Sequence, residues 1–263
     1  MSAALVGALS IGLVPAGAIT DGELDGDRHP ATVLIIMDVN GSPAFRCSGT
    51  LISPTHVLTA GHCTGEPGDF SGLRIFTESD VQNGDNDYPF GGGNNTIEAD
   101  RWAAHPMFSN AAFFLHDVGM IELEEEFELS DSAYGDIIGI GELDKLKTRR
   151  GKQDTWFTAV GYGLQKINPV FIESQRVRML ARPKLNQINV PGFTGDFSML
   201  LSNNASTGGT CFGDSGGPNY WADTNYIAGV TSFGINGNCA GTGGVFRLDK
   251  QDVHDFIEEF MED

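Results

Sequence analysis

Positively charged residues are scarce in this sequence of 263 residues. Lys and Arg together number 16, against 35 Asp and Glu, which gives a formal net charge of −19 at pH 7. Binding a polyphosphate chain requires clusters of Lys and Arg. The composition therefore argues against a nucleic-acid partner, and we interpret the acidity as surface charge that keeps the protein soluble.

Cysteine is also sparse, and its spacing excludes one kind of site. The four cysteines, Cys47, Cys63, Cys211 and Cys239, include no CxxC pair of the type that structural zinc sites use. Four cysteines allow three pairings, and the sequence alone leaves these open. Two disulfides formed in an oxidising compartment are the expected use.

Long apolar runs are absent except near the start of the chain. Residues 3–14 are uncharged and mostly small or apolar, and Ala16, Gly17 and Ala18 then form a small-x-small cleavage pattern. We predict a signal peptide or short pro-segment over residues 1–18 and a secreted protein, periplasmic if the host is bacterial. The missing basic start leaves a truncated leader or a structural strand as alternatives. No other stretch reaches the length needed to cross a bilayer, so no membrane partner is expected.

The remaining sequence favours an all-β fold. Apolar residues make up 40%, charged residues 19%, and glycines number 35, which is typical of a turn-rich globular protein. Short runs rich in β-branched residues alternate with Gly, Pro and Asn, as in antiparallel strands joined by turns. The predicted strands cover residues 31–39, 51–60, 73–76, 118–123, 155–160, 176–181, 227–232 and 244–248.

Two β-barrels and one helix are the predicted architecture. A charged, glycine-containing break over residues 129–151 divides the strands into two sets, about 19–130 and about 150–248. Residues 249–261 follow as a helix, because apolar side chains recur there at helical spacing, namely Val253, Phe256, Ile257 and Phe260. Residues 82–95 form a polar, glycine-rich loop, with a calcium-binding loop as the alternative.

The segment TCFGDSGGP over residues 210–218 is the most specific chemical signal. Its glycines allow the backbone N–H groups of Gly213 and Ser215 to converge on one point, which is the requirement for stabilising an oxyanion. Ser215 is the candidate nucleophile, and a hydroxyl needs an adjacent base to become reactive.

Two other segments supply the base and its carboxylate. LTAGHC provides His62 at a strand end, and FLHDVGMIEL provides Asp117 just before an apolar strand. A buried carboxylate can hold an imidazole in the required tautomer. His116 is an alternative base, but strand alternation directs it away from its neighbour's side. The other histidines lie outside these motifs and are interpreted as structural or surface residues: His29, His56, His105 and His254.

The motifs GDSGGP, TAGHC and HDVGMIEL, together with GYG at 161–163 and TSFG at 231–234, resemble the trypsin/chymotrypsin family of serine peptidases. The resemblance covers nearly everything from Ile19 to the predicted helix. It implies two antiparallel six-stranded Greek-key barrels with a C-terminal helix, and a serine-type endopeptidase that forms an acyl-enzyme. His62, Asp117 and Ser215 would be the catalytic triad, with no cofactor and no metal.

The resemblance also implies two disulfides and an activation pair. Cys47–Cys63 would brace the strand pair that carries His62, and Cys211–Cys239 would tie the nucleophile loop to the specificity pocket. In this family a freed N-terminal amine pairs with the acid before the nucleophile, which here is Asp214. Ile19 is the candidate amine, although ITDG departs from the common IVGG and no Lys or Arg precedes it. Cleavage after Ala18 would expose Ile19, so signal removal and activation would be one event.

Substrate preference follows from the positions that match the family's pocket. Gly209 would form its base and Gly234 and Gly244 its walls, while Thr210 and Phe212 would reshape it. Without an acid at Gly209, Lys and Arg have no counter-charge. We expect cleavage after Phe, Tyr, Leu or Met, with an elastase-like preference for smaller residues as the alternative.

Four further positions refine this assignment. Glutamate-specific relatives carry a histidine where this chain has Thr231. Ser232 would donate a hydrogen bond to Asp117, and Ser232, Phe233 and Gly234 would pair with the substrate backbone as an added strand.

Two other functions remain open: a catalytically silent homologue that binds proteins, and an esterase. The expected partners are protein or peptide substrates and protein inhibitors, and the expected state is a monomer. Asn94 and Asn204 lie in N-x-S/T sequons, which carry glycans only in a eukaryotic secretory pathway.

Overall fold

A computed structural model describes residues 19–147, 154–168 and 171–262. The predicted signal peptide over residues 1–18 lies outside the described residues. The strands in chain order are β1 (Glu23–Leu24), β2 (Thr32–Val39), β3 (Ser42–Leu51), β4 (His56–Thr59), β5 (Gly72–Phe76), β6 (Thr96–Ala104), β7 (Gly119–Leu123), β8 (Asp136–Ile137), β9 (Phe157–Gly161), β10 (Lys166–Asn168), β11 (Phe171–Glu173), β12 (Met179–Ala181), β13 (Leu185–Val190), β14 (Gly195–Asn203), β15 (Pro218–Trp221), β16 (Tyr226–Gly234) and β17 (Gly241–Arg247).

The helices are few and mostly short. The described residues contain two α-helices, α1 (Gly61–Thr64) and α2 (Gln251–Glu262). Single 3-10 turns cover Asn110–Ala112, Asp131–Ala133 and Glu142–Leu146. Within the described ranges, no helix has both the length and the apolar character that a membrane span requires.

The first six long strands close into an antiparallel barrel in the order β2-β3-β4-β7-β6-β5. β2 is buried along almost its whole length because both of its faces are covered. Val33 and Ile35 point into the main core, whereas Leu34 and Ile36 pack in a second cluster with Tyr162 from the other half of the molecule. This double burial explains the continuous apolar run in β2, where an alternating pattern would mark one exposed face.

The second half forms a nine-stranded sheet in the order β1-β12-β9-β15-β16-β17-β14-β13, with β8 added beside β16. Only residues 182–184 separate β12 from β13, so the two act as one bent strand that pairs with β9 at one end and β14 at the other. With β12 and β13 counted as one strand, six strands form a ring in the order β12/β13, β9, β15, β16, β17 and β14. The predicted all-β class and C-terminal helix are thereby confirmed.

The N-terminal segment belongs to the second sheet, which the predicted boundaries did not anticipate. β1 pairs with β12, and Thr20 forms a bridge with Gly209. Residues 19–24 were expected within the first barrel. They cross the molecule instead because their backbone groups are paired by strands of the second half.

Helix α2 packs on the first barrel through the apolar residues that the spacing predicts. Val253, Phe256, Ile257 and Phe260 are all buried. The Arg101 guanidinium of β6 lies 4.0 Å from the centre of the Phe260 ring and donates to the Phe260 carbonyl. The helix therefore joins the end of the chain to the barrel that carries His62 and Asp117.

Several predicted strands differ from the observed ones. The run 51–60 is interrupted between β3 and β4, because the Ser53 hydroxyl accepts hydrogen bonds from the backbone N–H groups of Thr55 and His56 and closes a turn. Among the longer strands, the pattern also missed most of β3 and all of β6, β13, β14 and β15. Their polar and apolar residues do not alternate cleanly, and in β6 and β13 most side chains are partly buried or exposed.

Candidate active site

His62 and Asp117 are brought together by two neighbouring strands. His62 lies in α1, the single turn that follows β4, and Asp117 lies two residues before β7. Thr59 of β4 pairs with Gly119 of β7, so the residues beyond these two strand ends face each other. The bond between Cys47 and Cys63 holds α1 against β3, with 1.94 Å between the sulfurs.

The Asp117 carboxylate holds the His62 imidazole from one side. His62 Nδ1 lies 2.9 Å from Asp117 Oδ2, and the His62 backbone N–H donates to Oδ1 at 2.9 Å. The Ser232 hydroxyl donates to Oδ2 at 2.5 Å. The carboxylate side chain has no solvent exposure. With Nδ1 engaged, Nε2 is the imidazole nitrogen available for proton transfer.

The electrostatic environment favours a protonated His62. Burial alone would lower its pKa, but the charge of Asp117 and the hydrogen bond to it outweigh burial and raise the pKa of His62 above its ordinary value of 6.5. An imidazole of raised basicity accepts a proton more readily.

The loop that carries Ser215 is fastened to the first barrel. The Ser48 backbone N–H donates to the Ser215 carbonyl at 2.7 Å, and the Ser48 hydroxyl donates to the Gly213 carbonyl at 2.9 Å. Gly213 and Gly216 have φ values of 98° and 77°, which side-chain-bearing residues rarely adopt. A Cβ at Gly216 would also lie 2.0 Å from the Thr59 hydroxyl. Glycine is therefore required at this close approach.

Two backbone N–H groups in this loop remain without an acceptor. Among the described residues, neither the Gly213 nor the Ser215 N–H donates a hydrogen bond. Ser215 and His62 line one cavity, but no hydrogen bond joins their side chains in this part of the chain. Nucleophile and base often reach hydrogen-bond distance only when substrate is bound.

Asp214 is fully buried beneath the same loop. Its carboxylate accepts hydrogen bonds from the Gly163 N–H at 2.7 Å and the Cys211 N–H at 2.8 Å. Burial raises the pKa of Asp214 to about 7, although these bonds and the charge of Arg46 act in the opposite direction. Glycine is required at Gly161 and Gly163 because a Cβ at either would lie within 2.4 Å of a carboxylate oxygen.

Ile19 is buried against the second sheet. Its side chain has no solvent exposure and packs in a cluster with Ala159 of β9, two residues before the Gly161 that abuts Asp214. Thr20 and Gly209 exchange two backbone hydrogen bonds of 3.0 and 3.1 Å. The start of the described chain is therefore held by β9 on one side and by Gly209 on the other.

The cavity next to Ser215 has a volume of about 490 Å³ and contains no carboxylate. The Cys211–Cys239 bond, with 2.09 Å between its sulfurs, forms part of its wall. The residues that line it are His62, Asn110, Phe113, Asn203, Thr210, Cys211, Phe212, Ser215, Thr231, Ser232, Phe233, Gly234, Asn236, Cys239, Thr242 and Gly243.

Gly209, predicted as the base of the pocket, does not line the cavity. The Asn203 side chain fills the space beside it: a Cβ at Gly209 would lie 2.3 Å from Asn203 Cγ. Asn203 Nδ2 donates to the Thr210 carbonyl at 2.8 Å, and its Oδ1 accepts from the Thr20 hydroxyl at 2.8 Å. The Asn203 amide, which these two hydrogen bonds hold in one orientation, therefore occupies the space beside Gly209 that was predicted to be open.

Gly244, predicted as a wall, also lies outside the cavity, because the Phe233 ring covers it at 2.3 Å from where a Cβ would stand. Thr242 and Gly243 line the cavity instead. The other predicted pocket residues line it, and Phe212 is half exposed at the rim. Sequence reasoning missed Asn110 and Phe113, which come from a loop without a distinctive motif.

Among the described residues, one group of possible metal ligands lies at the triad, and it consists of Cys47, His62 and Cys63. The sulfurs of Cys47 and Cys63 lie near His62, but a disulfide has no thiolate to offer a metal.

Comparison with known proteins identifies the family. A family model described as Trypsin matches residues 25–257. The chain belongs to the trypsin family of serine-type endopeptidases. Named relatives of this trypsin-family chain are animal proteins of moderate similarity. Collagenase from Hypoderma lineatum is 28% identical over 193 residues, which cover 73% of the chain and 67% of that protein.

Two further relatives have the same level of identity. Venom serine protease Bi-VSP from Bombus ignitus is 28% identical over 230 residues, 84% of the chain and 61% of that protein, so the match spans less than two thirds of its length. Brachyurin from Leptuca pugilator is 28% identical over 203 residues, 74% of the chain and 78% of that protein.

The solved HL collagenase structure superimposes with a TM-score of 0.68 at 20% identity. The alignment covers 93% of the chain and 99% of that structure. At this identity the likeness establishes the trypsin-family fold alone.

Proposed function

We propose that this trypsin-family chain is a secreted endopeptidase in which His62, Asp117 and Ser215 form the catalytic triad. The observation that carries the proposal is the arrangement of the Asp117 carboxylate, which engages His62 Nδ1 at 2.9 Å while His62 and Ser215 line one cavity. This is the constellation that acyl transfer requires.

In the proposed reaction, Ser215 Oγ attacks the substrate carbonyl carbon while His62 Nε2 takes the hydroxyl proton. The unpaired N–H groups of Gly213 and Ser215 stabilise the negative oxygen. The C–N bond then breaks, and His62 gives its proton to the leaving amine. Water hydrolyses the acyl-enzyme by the same steps. Asp117 stabilises the imidazolium throughout and stays ionised.

The proposed preference is for uncharged apolar or aromatic side chains. No carboxylate lines the cavity, so a Lys or Arg side chain would be desolvated without a counter-charge. A volume of about 490 Å³ accommodates Phe, Tyr, Leu or Met. Asn203 and Thr242 also line the cavity and take up part of its space, which keeps a preference for smaller residues as the alternative. The edge of β16 at Ser232, Phe233 and Gly234 would pair with the substrate backbone.

Activation is proposed to depend on the buried acid. A free amine at Ile19 would supply the cation that Asp214 needs, and Ile19 already packs beside the strand that abuts Asp214. Secretion is supported by the two disulfides and by the likeness to a venom protease.

The test compares the chain beginning at Ile19 with its Ser215→Ala variant on a casein-like protein and a peptide library. We expect wild-type cleavage that a sulfonyl fluoride abolishes, and a loss of about 10⁴-fold or more in Ser215→Ala. Ser132→Ala is the matched control, because Ser132 is exposed and distant in sequence from the motifs. An inactive wild type of normal fold would favour a silent binding homologue, and ester turnover without peptide cleavage would favour an esterase.

A further inference from the structure

Two buried histidines and one aspartate meet outside the catalytic cavity. His105 follows β6, His116 immediately precedes Asp117, and Asp252 lies in the first turn of α2. None of the three lines the cavity of Ser215. The cluster therefore joins three separate elements at a position that the proposed reaction does not use.

The three side chains are close enough to share one ion. One ligand atom from each lies within 4.8 Å of the other two. Asp252 Oδ2 is 3.4 Å from His116 Nδ1 and 3.9 Å from His105 Nε2. The two imidazole rings stack with 4.9 Å between their centres and 16° between their planes.

His116 supplies a second and independent observation. His116 is 9% exposed, and its Nδ1 is buried without a hydrogen-bond partner among the described residues. The carboxylate of Asp252 is within ion-pair distance but not in hydrogen-bond geometry. Buried imidazole nitrogens normally have a partner. The backbone of His116 is also unusual, with φ at 51°.

We propose that His105, His116 and Asp252 form a binding site for a divalent transition metal of the Zn²⁺ type. Two imidazole nitrogens and one carboxylate oxygen are the ligand types that Zn²⁺ takes, and water would complete a tetrahedral set. A metal ion would also give His116 Nδ1 the partner that it lacks.

The surroundings of His105 favour its neutral form. Burial and then the neighbouring His116 lower the pKa of His105, despite the opposite influence of Asp252. An unprotonated imidazole has the lone pair that a metal requires. Asp252 is about half exposed and supplies the negative charge that attracts the cation.

Binding also has a structural cost, which limits the expected affinity. His105 Nδ1 accepts a hydrogen bond from the Met107 N–H at 3.1 Å. Coordination through Nε2 moves the imidazole proton to Nδ1 and ends that bond, and the stacked rings must tilt for their lone pairs to converge on one ion. We therefore expect micromolar rather than nanomolar affinity for Zn²⁺.

The test is a calorimetric titration of the full chain, as Ser215→Ala to prevent self-digestion, with zinc chloride near neutral pH. We expect one equivalent to bind, and each of His116→Asn and Asp252→Asn to weaken Zn²⁺ binding by about tenfold or more. His62→Ala is the control and should leave the affinity unchanged. Loss of binding in His62→Ala, or equal binding in all variants, would overturn the proposal.

A spectroscopic readout separates lost ligands from lost folding. Co²⁺ in place of Zn²⁺ should give the visible absorption of a tetrahedral site in the parent chain, and none in His116→Asn. Circular dichroism and the metal-free melting temperature should show that His116→Asn remains folded. If His116→Asn unfolds, the Zn²⁺ affinity of Asp252→Asn tests the proposal instead. The Asp252 side chain is partly exposed, and among the described residues its ion pairs are only those with His105 and His116, so its replacement should leave the fold intact.

Discussion

A chain in which residue 19 is not the N-terminus should lose stability as the pH rises, and Asp214→Asn should remove that loss. Asp214 is buried, and its pKa stands at about 7 against an ordinary value of 3.8. The folded state therefore holds the proton more tightly than the unfolded state does. Below about pH 4 the Asp214 carboxyl is protonated in both the folded and the unfolded state, so no stability is lost. Between there and about pH 7 only the unfolded state releases its proton, which favours unfolding.

The size of the effect follows from the two pKa values. At ~1.4 kcal/mol per pH unit, the free energy of unfolding should fall by about 4 kcal/mol in total and then level off above about pH 7. An asparagine at 214 stays neutral but leaves either the Gly163 or the Cys211 N–H without its acceptor. That loss costs about 1 to 3 kcal/mol. The variant should thus be less stable than the parent at about pH 4 and more stable at about pH 8.

The assay is denaturant unfolding at both pH values, in a Ser215→Ala background with an N-terminal extension before Ile19. Asp27→Asn serves as the control, since Asp27 is exposed and makes no ion pair among the described residues. In a second series the chain begins at Ile19, and there Asp214→Asn should destabilise at about pH 8 because it removes the partner of the amine. The raised pKa of Asp214 would be contradicted if Asp214→Asn changed the free energy of unfolding at about pH 8 in the same direction in both series. It would also be contradicted if, in the extended chain, the variant were not the less stable protein at about pH 4 and the more stable one at about pH 8.

Three further predictions concern the site. Ser232→Ala removes a hydrogen bond to the charged Asp117, worth about 1.5 to 3 kcal/mol, so kcat should fall roughly 10- to 100-fold with little change in KM; an unchanged kcat would contradict this. Because the pKa of His62 is raised, kcat/KM should rise with pH through a midpoint above 6.5 and decline on acidification, and a midpoint below 6.5 would contradict the assigned Asp117 contact. Asn203→Asp should raise the Arg-to-Leu ratio of kcat/KM by about tenfold or more, because it adds a carboxylate to the cavity. It should also lower the free energy of unfolding by about 1 to 3 kcal/mol, because the Thr210 carbonyl loses its donor. Peptide-library profiling measures the ratio, and an unchanged ratio would show that Asn203 does not contact the substrate.

Local sequence signals were sufficient to predict that His62, Asp117 and Ser215 would lie near one another. Ser215 lies in a loop where Gly213 and Gly216 each adopt a backbone conformation that favours glycine, and His62 lies between the end of β4 and Cys63. Each of these motifs involves only a few neighbouring residues. The all-β class was predictable for the same reason, because turns and β-branched runs are local patterns.

The features that were not predictable depend on distant contacts. Asn203 fills the space beside Gly209 because a tight turn with an Asn204 to Gly208 bridge folds β14 back on the following loop. Phe233 covers Gly244 through the pairing of β16 with β17. No residue type or spacing near Gly209 or Gly244 carries this information. The pocket was therefore the least accurate part of the prediction.

The cluster of His105, His116 and Asp252 shows the same limit. Its members are separated by up to 147 residues along the chain and meet because helix α2 packs on the first barrel. From the sequence, His105 was interpreted as a structural or surface residue and His116 as an alternative base, and nothing near either residue indicated the other.

Covalent labelling is the direct test of whether Ser215 is a nucleophile that His62 activates. The chain beginning at Ile19 is incubated with a phosphonyl fluoride, its intact mass is measured and the modified peptide is sequenced. We expect one adduct, located on Ser215, that does not form in His62→Ala. A chain that cleaves protein while Ser215 remains unmodified, or that labels equally well in His62→Ala, would contradict this expectation.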